Sequence, residues 1–202
     1  MTAAVVLCAI FGGIWFGYQQ IFRRGIDRLP ATLCDGAVKR EVAARVLPEA
    51  RSAGHKSDVT GAGDNFMFAC RVDTSDDYMV SGEAIMRDVS ESGWADFYEQ
   101  YGGDNEGKVV RVPSGDVRAL SKRGFATVYV PCVPRGVDAA DADETYALVT
   151  EARVVGKHKA NGIELRQALT DFAYQVTVHA YAVAECQKPR DFPEELPRYE
   201  TG

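Results

Sequence analysis

The stretch 58-DVTGAGDNFMFAC-70 decides the fold, because its glycines lead into either a helix or a strand. Gly61 and Gly63 mark a turn. Beyond it, Phe66, Phe68, Cys70 and Val72 fall on alternate positions, and that period of two is the signature of a strand with one buried face. The turn therefore leads into a strand, and Cys70 is carried to the buried side.

The same letters resemble the anion-hole loop of ribokinase-type sugar kinases, with Gly61, Ala62, Gly63, Asp64 and the aromatic Phe66 in matching places. In that family the loop opens a helix whose N–H groups meet the transferring phosphoryl group, and the Asp acts as base. The resemblance covers about a dozen residues and implies a small-molecule kinase using Gly61–Asp64. Its context disagrees. Alternation continues past Asp64, and no run of βαβ units precedes the motif. The turn reading is adopted, and the kinase is kept as the rival.

Outward from this strand, the pattern gives further elements. A helix is expected from Asp35, as N-cap, to Leu47, with Val38, Val42 and Val46 on one face. The segment 48–63 is polar and is read as a loop. Strands are expected over Asn65–Asp73, Tyr78–Arg87, Lys108–Val112, Asp116–Leu120, Phe125–Val133 and Thr145–Val155. A short helix carries Trp94, Phe97, Tyr98 and Tyr101, with Asp88 and Glu91 at capping-box spacing. From Asn161, the residues Leu165, Leu169, Phe172, Val176, His179, Val183 and Cys186 recur three and four apart, as on one face of a long helix. Short turns between strands disfavour crossover connections. The expected class is α+β: a largely antiparallel sheet packed by an N-terminal and a long C-terminal helix.

The chain has 202 residues, a formal net charge of −6 and a pI near 5.1. An acidic balance without a clustered basic face excludes a nucleic-acid-binding domain. The N-terminus departs from this average. Ala3 to Phe22 carries no charge and is long enough to span a bilayer as a helix, with Trp15 and Tyr18 toward one end. No small-x-small cleavage pattern comes after it, and Cys8 lacks a lipid-attachment context. The organisation expected is a transmembrane anchor over 1–24, a linker over 25–33, an extracytoplasmic domain over 34–187 and a flexible tail over 188–202.

Arg23, Arg24 and Arg28 lie just past the span and by the positive-inside rule favour a cytoplasmic domain. The cysteines oppose this. Cys34, Cys70, Cys132 and Cys186 are even in number, dispersed and free of any CxxC spacing, which suits two disulfides in an oxidising compartment. The extracytoplasmic orientation is adopted on that ground. Three connectivities are open. Cys70 and Cys132 both lie on apolar alternating rows and meet if their strands are neighbours, while a Cys34–Cys186 bridge would tie the ends of the domain. That pairing is the one adopted.

Little in the chain carries chemistry. His55 and His158 fall in loops, and His179 on the apolar face of the last helix is read as a hydrogen-bonded core histidine. G-x-S-x-G and H-E-x-x-H are absent from the sequence. The acidic residues Asp138, Asp141, Asp143 and Glu144 lack EF-hand spacing and are read as a solvated loop. Trp94, Phe97, Tyr98 and Tyr101 would line a ligand groove or join the core. No catalytic, metal or cofactor residue is assigned.

The segments 33-LCDGAV-38, 68-FACRV-72, 128-VYVPCV-133 and 183-VAEC-186 give a layout that resembles small actinobacterial envelope proteins of uncharacterised function. The resemblance implies an anchored four-cysteine α+β domain in the cell envelope and no activity. The expected function is a membrane-anchored, non-catalytic binding, interaction or sensing module, whose partner is a small-molecule ligand or an envelope protein. A purely structural envelope component is the further alternative.

Overall fold

A computed structural model describes residues 25–101, 109–137 and 146–199. The expected anchor Ala3–Phe22 and the acidic residues Asp138, Asp141, Asp143 and Glu144 lie outside the described residues. Among those described, no helix is long and apolar enough to cross a membrane.

The described residues form nine strands and three α-helices in chain order: β1 Thr32–Leu33, β2 Val38–Lys39, α1 Arg40–Val46, β3 Ala53–Thr60, β4 Met67–Thr74, β5 Met79–Asp88, α2 Glu91–Tyr101, β6 Val110–Ser114, β7 Val117–Lys122, β8 Phe125–Pro131, β9 Tyr146–Val155 and α3 Gly162–Val183. β1 and β2 form a small hairpin. The other strands build one seven-stranded sheet in the order β3-β4-β5-β9-β8-β7-β6, and every neighbouring pair is antiparallel. The α+β class, the large antiparallel sheet and the long closing helix are as the sequence pattern requires.

Alternation decides which side of each strand meets α3. Phe68, Cys70 and Val72 of β4, Val80, Ala84 and Met86 of β5, Leu148 and Ala152 of β9, and Ala126, Val128 and Val130 of β8 are all buried in one core with α1 and α3. Across this face the register lines up Cys70, Gly82, Ala152 and Ala126 on four successive strands. This row of small residues is where α3 seats. A Cβ added to Gly82 would lie 3.0 Å from both Phe172 and Val176. At the same interface the Thr177 hydroxyl donates to the Ala173 carbonyl at 2.8 Å and stands 2.7 Å from the Thr150 hydroxyl, so the buried polar groups satisfy one another.

The opposite face is covered over only part of its width. Trp94 and Tyr98 of α2 pack with Leu120, Phe125, Tyr129, Ala147 and Val149 in a second core over β7, β8 and β9. β8 is consequently buried on both faces. No described helix lies on this side of β3, β4 and β5.

Several expectations need correction. The first helix begins at Arg40, not Asp35, because Cys34 and Asp35 take positive φ angles of 53° and 57° in the β1–β2 turn. The polar segment 53-AGHKSDVT-60 is a full strand, an edge strand that buries little and so shows no alternation. The cap of α2 is Ser90, whose hydroxyl accepts from the Gly93 N–H, in place of the Asp88–Glu91 box. The supposed linker 25–33 belongs to the domain, with Ile26 and Leu33 buried. The flexible tail is likewise replaced, as far as Tyr199, by a packed strap. Leu196 and Tyr199 are buried, the Tyr199 and Thr170 hydroxyls are 2.7 Å apart, and the Tyr199 N–H donates to Gln167 Oε1 at 2.9 Å. Prolines bar that segment from helix and sheet, not from packing.

The disulfides pair Cys34 with Cys70 and Cys132 with Cys186, which overturns the expected Cys34–Cys186 and Cys70–Cys132. Sheet order is the reason. β5 and β9 stand between β4 and β8, so Cys70 and Cys132 are three strand spacings apart, roughly 14 Å. That exceeds the Cα separation a disulfide tolerates. The β1–β2 turn instead brings Cys34 against β4, where the Cα atoms are 5.4 Å apart, and the end of α3 returns Cys186 to the end of β8 at 5.3 Å. The bridges close separations of 36 and 54 residues, each worth about 4 kcal/mol in the chain-entropy model. Two formed disulfides are consistent with an oxidising, extracytoplasmic location.

Non-reducing peptide mapping of the natively expressed protein should recover Cys34 linked to Cys70 and Cys132 linked to Cys186; four free thiols would remove both the fold's staples and the argument for an oxidising compartment. Gly82→Val should lower stability by about 1–3 kcal/mol in urea unfolding, since the added methyls overpack the α3 seat.

Candidate functional site

The kinase-like loop is a turn in the structure. Gly63–Asn65 form a single 3-10 turn, and Met67 of β4 pairs back to Thr60 of β3 in an antiparallel hairpin. No helix N-terminus forms there to receive an anion. Asp64 accepts from the Asn65 side-chain amide at 2.8 Å and lies on the surface. Gly61 has φ of 67°, and a Cβ there would lie 2.1 Å from the Asn65 carbonyl oxygen, so the glycine serves the turn.

The histidines are dispersed. His55 lies in β3 rather than a loop and accepts the Cys34 N–H at 3.1 Å. His158 contacts the Ala160 carbonyl at 2.6 Å. His179 packs against Phe68, the rings tilted at 47° with centroids 4.8 Å apart, and makes no hydrogen bond to a described residue, contrary to the sequence reading. Burial lowers its pKa, and the charge of Asp35 opposes the shift. Among the described residues no cluster could hold a metal ion.

Two clefts merit comparison. One, of about 580 Å³, lies between the start of α3 and the C-terminal strap, lined by Arg45, Lys159, Gln167 and Arg198 among others. Its polar groups are largely spent on each other. Arg45 and Arg198 both reach Asp171, at 2.7 and 2.9 Å, and the Gln167 amide donates to the same carboxylate at 2.8 Å. This network ties the strap to α1 and α3.

The other cleft runs along the edge of α2, where the uncovered sheet begins. It is a groove of about 260 Å³ lined by Arg87, Asp88, Val89, Trp94, Phe97, Tyr98, Val149 and Glu151, and it continues over Glu83 and Ile85. Strand geometry builds its floor. Glu83, Ile85 and Arg87 are alternate residues of β5 and point to one face. The register sets Ile85 beside Val149 and Glu83 directly opposite Glu151 on β9. Helical spacing builds its wall, from Trp94, Phe97 and Tyr98. Trp94 is pinned by its Nε1–H donating to Thr127 Oγ1 at 3.1 Å. The sequence pattern groups Trp94, Phe97, Tyr98 and Tyr101; the structure buries the first and third and leaves Phe97 53% and Tyr101 64% exposed.

The groove's electrostatics are asymmetric. Two carboxylates opposed across a strand pair repel. Glu151 is accommodated, because the Tyr98 hydroxyl donates to Oε1 at 2.6 Å and Arg153 donates to Oε2 at 2.6 Å. Arg153 itself lies 5.1 Å above the Phe125 ring. Burial, and then the hydrogen bond to Glu151, push the Tyr98 phenol well above the ordinary tyrosine range, so it stays a donor. Glu83 and Arg87 have no hydrogen bond or ion pair to a described residue. Nothing in the sequence singles them out, since they read there as ordinary solvated strand charges. Only the β5–β9 register reveals them.

No family model, curated protein or solved structure matches the chain.

The Tyr98–Glu151 bond gives a pH signature. A phenol whose pKa is raised on folding contributes stability that is complete below about pH 10 and is lost as pH rises beyond that toward the folded value. The stability gap between the native chain and Tyr98→Phe should therefore be about 1–3 kcal/mol at neutral pH and shrink above about pH 10. Denaturant unfolding of both proteins across that range checks it.

Proposed function

We propose that this chain is a membrane-anchored, extracytoplasmic, non-catalytic binding module, and that the groove beside α2 is its ligand seat. One observation carries the reading: a groove walled by Trp94, Phe97 and Tyr98 and floored by Ile85 and Val149 has two exposed charges of opposite sign, Glu83 and Arg87, on one strand face, neither paired with a described residue. Glu83 and Arg87 are exposed and so open to a ligand, and a pocket with apolar side chains and a few convergent polar groups is the ordinary form of a small-molecule site. Both oxygens of Glu151 are occupied by Tyr98 and Arg153, so the carboxylate orients the wall instead of acting as a base. The anchor at Ala3–Phe22 and the two disulfides support placement outside the cytoplasm, and the likeness to actinobacterial envelope proteins agrees with it.

The chemistry of the groove favours a short zwitterion with an apolar body. The Cα atoms of Glu83 and Arg87 stand about 13 Å apart along β5, and both residues line the pocket with Ile85 and Val149. That span suits a di- or tripeptide, its ammonium end on Glu83, its carboxylate end on Arg87, and an apolar side chain against Phe97. A kinase built on Gly61–Asp64 has no such support, since the loop lacks the helix the chemistry needs.

Trp94 is a natural reporter once Trp15 is replaced by Phe. Titration of the full chain with alanyl-phenylalanine should change Trp94 fluorescence saturably. Acetylating the peptide's amine or amidating its carboxylate should each weaken binding about 10- to 100-fold, the worth of one charged hydrogen bond. Glu83→Gln should erase the discrimination against the acetylated peptide, and Arg87→Gln that against the amide. A purely structural component would give no saturable response to any of the peptides.

A further inference from the structure

The two edges of the sheet are treated differently. β6 is five residues long and carries Pro113, which cannot donate to a further strand. Short length and proline are the usual protections of an edge. β3, the opposite edge, has eight residues and no proline, and all eight pair with β4 on its inner side. Among the described residues no strand pairs with its outer side.

The charges along β3 are also unresolved within one chain. Lys56 and Asp58 are exposed, point to the same face two residues apart, and make no ion pair or hydrogen bond with their side chains to a described residue. The register places Lys56 opposite Arg71 of β4, a like charge, and Asp58 opposite Ala69, which offers it nothing. Arg71 turns to Asp73 at 3.8 Å. Val59 beside them is 48% exposed.

We propose that β3 pairs with β3 of a second copy of this chain, antiparallel, about a two-fold axis through Ser57. In that register Lys56 faces Asp58 of the second copy, and Asp58 faces its Lys56, so both unmatched charges gain partners. Moving the axis by one residue either way sets Lys56 against Lys56 or Asp58 against Asp58, and both are repulsive. The strand is thus self-complementary in a single register, as an isologous contact requires. The outcome is one continuous sheet across two molecules. The axis is normal to the sheet, so both chains enter from the α3 side, where Ile26 is packed. Two anchors in one bilayer would need that arrangement. The contact is separate from the groove beside α2 and stands whether or not that groove takes a peptide.

Zero-length carbodiimide coupling tests this directly. The full chain, in detergent micelles, is prepared from an equal mixture of isotope-labelled and unlabelled protein, so that mass spectrometry distinguishes interchain from intrachain links. The expected product is an interchain amide between Lys56 and Asp58. Lys56→Asp alone leaves no amine at the contact and Asp58→Lys alone no carboxylate, so neither can form the link, and because each turns both pairs repulsive, each should also lower the dimer fraction seen by sedimentation about tenfold. Mixing the two variants restores opposite charges at both positions, and the yield should return with links only between unlike chains. Interchain links elsewhere on the surface, single variants that dimerise as well as the native chain, or a mixture that does not recover would each overturn the proposal.

Discussion

The ladder between β5 and β9 is the seam on which the molecule depends. It pairs ten residues of each strand, from Met79 with Val155 to Asp88 with Tyr146. Without it there are two separate meanders, β3-β4-β5 and β6-β7-β8-β9, neither joined to the other. Because β9 is last in sequence and central in space, it closes the sheet from the inside and is buried on both faces over Ala147–Thr150. Helix α3 then covers the seam, seated where Gly82 and Ala152 face each other without bulk.

The same register makes the groove. It sets Ile85 beside Val149 and Glu83 against Glu151, two carboxylates that no described helix covers fully. Tyr98 and Arg153 then take Glu151 out of contention. Fold and site therefore share one cause. The pairing that joins the halves also leaves the uncompensated charges where α2 stops short of the remaining strands. The disulfides act at the periphery of this plan, one pinning the β1–β2 turn to β4 and the other pinning the end of α3 to the end of β8.

Legibility in the letters differs by element, for physical reasons. Strands with one buried face announce themselves: Phe66, Phe68, Cys70 and Val72 mark β4, and the three-four spacing from Leu165 to Val183 marks α3. β3 escapes such a reading because an edge strand buries little, so His55, Lys56, Ser57 and Asp58 look like a loop. The strap escapes it because its prolines suggest disorder, although Phe192, Leu196 and Tyr199 recur at spacings that a packed segment can use. Disulfide pairing is misjudged from the letters because it depends on strand order, and nothing local tells that β9 inserts between β5 and β8. Glu83 and Arg87 are unreadable for the same reason, since a site made by register has no motif.

That the half-covered face at the β5–β9 seam is where this protein meets its ligand is best tested by nuclear magnetic resonance of the labelled full chain during titration with alanyl-phenylalanine. Amide shifts are predicted to be confined to β5 near Glu83 and Arg87, β9 near Val149 and Glu151, and α2 near Phe97, with Arg45, Lys159 and Arg198 unmoved. Shifts centred on the strap cleft, or none at all, would contradict that placement.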